Sequence, residues 1–148
     1  MKLEKLVAYR TSTAPVDVNV VDDIIAVSDL MKSVCLVKFT PGKDGKPDTL
    51  VEVGRHYQTV WSTAVACVDK DTFLQSDAEG NLIVLSRNLN GVTAQDKQRL
   101  MPTSEIALGE MVNRIRSVNI PNLASTTVVP RAFLATVCFA APRINVMY

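Results

Sequence analysis

The segment DIIAVSDLMKSVCLV, beginning at Asp23, returns as DTFLQSDAEGNLIVL, beginning at Asp71, an offset of 48 residues. Asp23, Ser28 and Asp29 align with Asp71, Ser76 and Asp77, and the apolar positions between them match as well. A period of about 40–50 residues holding several short strands is the mark of β-propeller blades, because one small sheet cannot bury both faces alone and stacks against its neighbours. The repeat therefore predicts antiparallel meanders packed side by side.

Short β-branched runs bounded by Asp, Gly, Asn or Pro fill each copy, and a helical period is almost absent. The first copy divides into strands over Val16–Val21, Ile24–Ser28, Ser33–Phe39 and Thr49–Tyr57, the second over Ser62–Val68, Thr72–Ser76, Asn81–Ser86 and Ser104–Leu108. A third begins with Asn113–Ile120 and Ala132–Val137, and Leu3–Arg10 reads as the outer strand of an earlier unit. The expected fold is all-β, a partial β-propeller of about three four-stranded antiparallel blades: complete blades near 16–57 and 62–108, partial ones at 1–10 and 113–148. AEGN from Ala78 and PGKDGKPD from Pro41 supply hairpin turns. Thr93–Leu100 favours a helical turn that Pro102 would stop.

Composition narrows the function. Apolar residues make up 47% of the chain, which fits a globular sequence, and Lys plus Arg number 16 against 15 acidic residues, so no global field draws it onto nucleic acid or anionic lipid. Cys35, Cys67 and Cys138 sit in apolar runs, as reduced core thiols do in an intracellular protein. The start MKLEKLVAYR lacks the apolar core of a signal peptide, and no run of about 18 apolar residues could span a bilayer, so no membrane association is expected.

Sites of chemistry are set aside one by one. PGKDGKP lacks the GK[ST] ending of a phosphate loop and reads as a solvated turn. His56, the sole histidine, has no neighbouring Cys or His ligand pair and is expected at a surface or interface. Asp69 and Asp71 do not continue into a calcium loop, and no Gly-x-Ser-x-Gly elbow is present. No catalytic residue, metal or cofactor is expected.

In a four-stranded meander alternate connections share one end of the sheet. That geometry gathers Ser12–Pro15, Leu30 and Met31, Thr59–Trp61, Ala78 and Glu79, and Glu110–Val112 at one rim. Leu30, Met31, Trp61 and Met111 would make this rim apolar, while PGKDGKPD and NGVTAQDKQR make the other polar. Met and Trp at a rim suit protein docking, since aromatic anchors supply much interface energy and Met adapts its shape.

The blocks SDLMKSVCLV from Ser28, WSTAVACVDKDTFLQSDAEGNLIVL from Trp61 and LGEMVNRI from Leu108 resemble the superfamily of the cleavage and polyadenylation specificity factor A subunit, in the branch of the large subunits of damage-specific DNA-binding protein. The resemblance covers about Tyr9 to Val137 and implies the later part of a third propeller. It also implies a non-catalytic scaffold, the substrate-receptor-binding propeller of a cullin-RING ubiquitin ligase adaptor in the DNA damage response. Its partners would be substrate-receptor proteins and the rest of its own propeller, in the nucleus with the cytoplasm as a second compartment. The cleft positions it implies are Leu30, Met31, Lys32, Trp61, Met111, Asn113, Arg114 and Val137. The alternative is a nucleic-acid-contacting propeller subunit of an RNA cleavage, polyadenylation or splicing complex, with nucleic acid otherwise touched only indirectly. Where the family continues past its counterpart of ATV with a glycine turn and another strand, this chain has CFAAPRINVMY, so truncation is expected, with Cys138–Tyr148 irregular or at a sheet edge.

Overall fold

The 48-residue repeat folds into two antiparallel sheets of the same order. The computed structural model describes residues 4–119, 131–137 and 144–147, with side chains through residue 117. β1 (Pro15–Val21), β2 (Ile24–Asp29), β3 (Ser33–Thr40) and β4 (Thr49–Arg55) form one four-stranded meander; β5 (Ser62–Cys67), β6 (Thr72–Asp77), β7 (Asn81–Arg87) and, after the short helix α1 (Ala94–Lys97), β8 (Leu100–Ala107) form the second. β9 (Val112–Asn119), β10 (Arg131–Val137) and β11 (Ile144–Met147) make a three-stranded sheet with β10 central. The architecture is that of a partial β-propeller.

Equivalent residues do equivalent work. The Phe39 amide donates to the Asp23 carbonyl and the Arg87 amide to the Asp71 carbonyl, each at 2.9 Å. The two aspartates also hold matching ion pairs, with Lys38 at 3.0 Å and Arg87 at 3.3 Å. Both first strands shift register at one place, between Pro15 and Asp17 and between Ser62 and Ala64. Asp29 and Asp77 each turn a carboxylate back onto the amide two residues ahead, Met31 and Glu79.

The core lies between the sheets. One seam joins Ile24, Ala26, Val34 and Leu36 of the first sheet to Val65, Phe73, Ile83, Leu85 and Leu100 of the second. The other joins Ala64, Ala66, Leu74 and Leu82 to Val112 and Ile115 of β9. The second sheet is thus covered on both faces, which is why β5, β6 and β7 carry apolar residues at odd and even positions alike. Across the first seam β1 also uses side chains as acceptors: the Val65 amide donates to Asp17 Oδ2 at 3.1 Å and the Cys67 amide to Asn19 Oδ1 at 3.4 Å. The outward positions Val16, Val18 and Val20 stay exposed.

Several expectations need correction. Residues 4–10 of the expected strand Leu3–Arg10 form no strand and pair with none of the described strands. Tyr9 instead packs on Val27, Cys35 and Val37 and donates its hydroxyl to Glu52, which Arg55 grips through two 2.7 Å bonds. β4 ends at Arg55 rather than Tyr57, and β8 starts four residues early, at Leu100. Pro102 lies inside β8 and does not stop the helix; an outermost strand tolerates a missing donor, and the register shifts beside the Leu85–Pro102 pair. Thr93 and Asp96 cap the N-terminus of the helix in a reciprocal capping box, and Gln98 caps its C-terminus. β11 is an edge strand, as expected for part of the tail, whereas Ile120 and residues 138–143 fall outside the described residues.

Candidate protein-docking rim

Asp29 fixes the first rim turn. Its carboxylate accepts the Thr13 amide at 2.8 Å, the Thr13 hydroxyl, and the Met31 amide at 3.3 Å. Burial alone would push this carboxyl up, but the bonds from Thr13, Met31 and Lys32 outweigh it and hold the group below its ordinary range. The buried anchor leaves Leu30, Met31 and Lys32 exposed on a backbone that cannot slide.

Hydrogen bonds then run from turn to turn. The Leu30 amide donates to Ala14 at 2.8 Å, and the Leu30 carbonyl accepts the Ser62 amide at 3.2 Å. The Ala78 amide donates to Trp61 at 2.9 Å, and Leu108 donates to Gly80 at 2.8 Å. Ser62 takes a 2.6 Å bond from Ser28, while Thr63 and Ser76 reach the Val112 carbonyl at 2.6 and 3.1 Å. The entry loops and the β2–β3 and β6–β7 turns therefore share one end of the sheets.

Leu30, Met31, Lys32 and Trp61 stand at this end, and Trp61 is 59% exposed and takes no part in the seams between the described sheets. Met111 is half-buried just before β9, Asn113 is half-buried within that strand, and Arg114 beside it is exposed. The Val137 backbone pairs with Val112. The contrast with the opposite rim is smaller than expected, because Leu89 and Val92 there are 55% and 96% exposed.

Beside Trp61 opens a groove of about 490 Å³ whose walls include Gln58, Asp77, Glu79, Asn81 and Glu105. Sequence reading did not anticipate Gln58, Asn81 or Glu105. Glu105 was legible only once β8 was known to lie against β7, where it pairs with Ile83.

His56 corrects a further expectation. It is 2% exposed, not a surface residue, because its amide donates to Val34 at 2.9 Å and draws the chain inward after β4. Ser33 Oγ lies 2.6 Å from His56 Nδ1 and 2.8 Å from Gln75 Oε1, across the seam between the first two sheets. One hydroxyl proton serves both contacts if Ser33 donates to Gln75 and His56 Nδ1–H donates to Ser33. His56 Nε2 and Gln75 Nε2 are buried without a hydrogen-bond partner among the described residues. Burial pushes the His56 imidazole below its usual value, opposed by Gln75. With Ser33 fully buried too, this group locks the seam and faces no substrate. No group of three or more His, Cys, Asp or Glu side chains is placed to hold a metal ion among the described residues.

Comparison with known proteins agrees with the propeller geometry. Residues 1–138 match the CPSF A subunit region. DNA damage-binding protein 1 of Schizosaccharomyces pombe is 31% identical over 131 residues, covering 88% of this chain and 12% of that protein. DNA damage-binding protein 1 of Solanum lycopersicum is 36% identical over 94 residues, 64% of this chain and 8% of that protein, and the Drosophila melanogaster protein is 34% identical over the same length. The chain thus spans about a tenth of the length of the curated relatives it matches.

Proposed function

Because the chain belongs to the CPSF A subunit family, we propose that it is a non-catalytic protein-interaction scaffold whose rim docks a segment of another protein. It acts as part of one β-propeller domain, with complete blades near 16–57 and 62–108 and a partial blade after them, near 113–148. By analogy with the relatives called DNA damage-binding protein 1, it serves the DNA damage response in the nucleus. The role of a receptor-binding element in a ubiquitin ligase adaptor rests on the resemblance of the blocks from Ser28, Trp61 and Leu108.

The observation that carries this reading is the exposure of Leu30, Met31 and Trp61 on turns held by main-chain hydrogen bonds at one end of the sheets. Large apolar side chains on rigid turns lose little freedom when a partner covers them. Nucleic acid is not favoured in the groove beside Trp61, which presents Asp77, Glu79 and Glu105 and no Lys or Arg.

The test places this chain at the corresponding position of the fission yeast relative and measures affinity for that protein's receptor partners. Truncating a central Trp anchor costs about 2 kcal/mol or more, so Trp61→Ala should weaken binding at least ~30-fold. Lys46→Ala, in the exposed turn at the opposite end, should leave it unchanged. Equal affinities for Trp61→Ala and the parent protein, with both folded, would refute the docking assignment.

A further inference from the structure

We propose that the groove beside Trp61 seats a basic side chain, Arg or Lys, projecting from the docked protein segment. The inference rests on the docking reading of the rim and names what that reading leaves open, the chemistry of the occupant.

Charge distribution points to it. Glu79 and Glu105 are exposed in the groove walls, and neither forms a salt bridge among the described residues. Asp77, 5% exposed, lines the same groove. Its carboxylate is held by the Glu79 amide at 3.0 Å, the Asn81 amide at 2.8 Å and Asn81 Nδ2 at 2.9 Å, so its charge cannot swing away. Those three donors leave Asp77 nothing to seek, and it acts as a fixed negative background. The whole chain has a net charge of only +1, so this field is local to the groove and not a general acidity.

The remaining wall suits a cation as well. An exposed indole offers a negative π face, to which a guanidinium or ammonium is drawn when it lies within about 6 Å. A long basic side chain can lay its methylenes along Trp61 and carry its charged head to Glu79 and Glu105, with the Gln58 and Asn81 amide oxygens as further acceptors. A volume of about 490 Å³ accommodates such a side chain with solvent to spare. Leu30 and Met31 on the neighbouring turn fit apolar residues of the same segment, so the occupant combines a basic residue with an apolar flank.

The experiment selects binders from a random 12-residue peptide library displayed on phage, using the full chain as bait. In parallel it selects against Glu79→Lys/Glu105→Lys and Trp61→Ala. Binders to the parent chain should carry Arg or Lys beside apolar residues, and binders to the charge-reversed chain should carry Asp or Glu at that place. A synthetic parent-selected peptide, titrated by the fluorescence of the sole tryptophan, should bind about 3- to 10-fold more weakly to Glu79→Gln/Glu105→Gln and weaken further as salt rises. Circular dichroism melts confirm that each variant is folded. Peptides that need Trp61 but show no basic preference and no response to the Gln pair overturn the inference and spare the docking reading. If no peptide depends on Trp61, both fall.

Discussion

Acidification from pH 7.5 to 5.5 should destabilise the chain through one residue. His56 is the only histidine, and it is 2% exposed in the seam between the first two sheets, so its charged form is disfavoured in the fold. Its folded value lies below that of the unfolded chain, about 6.5, so between the two values the unfolded state binds more protons and stability rises with pH. The contribution is complete above the unfolded value and is lost progressively below it. If His56 stays neutral in the fold down to pH 5.5, the loss there approaches a ceiling of about 1.4 kcal/mol, the linkage cost of one pH unit below the unfolded value. Urea unfolding at pH 7.5, 6.5 and 5.5 measures this as a falling midpoint at constant slope. Carboxylates titrate below this window, so His56→Asn, whatever its own stability, should lose most of the pH response. A parent midpoint that is flat across the range, or a response that survives in His56→Asn, would refute the buried-neutral assignment.

Phe73, fully buried against both the first sheet and Leu85, should cost about 3–5 kcal/mol when changed to Ala, read as a drop in the urea midpoint; a loss under about 1 kcal/mol would mean the seam is not a shared core. Burial pushes the Cys67 thiol up to about 11, so site-resolved iodoacetamide labelling at pH 8 should spare Cys67 in the folded chain and modify it in urea; equal labelling would show the seam between the first two sheets to be open. Gly80 sits at φ +87° with the Glu110 amide 2.8 Å from where a Cβ would stand, so Gly80→Ala should destabilise by roughly 1 kcal/mol or more, and an unchanged melt would refute the close approach of these two rim turns.

The strands were legible because apolar alternation and turn residues are local signals, and the repeat supplied register: Asp23 and Asp71 anchor their hairpins through equivalent bonds. The rim followed from topology alone, since a meander must return alternate turns to one end. What escaped reading depends on partners distant in sequence. His56 looks like a surface residue until Ser33, 23 positions earlier, and Gln75, on the next sheet, are brought beside it. Leu3–Arg10 has strand composition, yet a strand needs an edge to pair with, and composition cannot say whether one is free. Pro102 reads as a stop signal because its missing donor matters inside a sheet, and only an outermost position makes it harmless.

The stitches between neighbouring sheets have a consequence for how such chains diversify. Asp17 and Asn19 reach the amides of Val65 and Cys67 with side chains, so the seam they cross is not a continuous main-chain ladder. A ladder would fix the spacing of the two sheets at strand distance and forbid a change of angle between them. Side-chain links flex by rotamer, so copies of the unit can be added or lost around an axis while each sheet keeps its own hydrogen bonds intact. Duplication of a 48-residue segment then yields a usable protein without redesign of its interior, and the constraint on sequence falls on a few polar positions per seam.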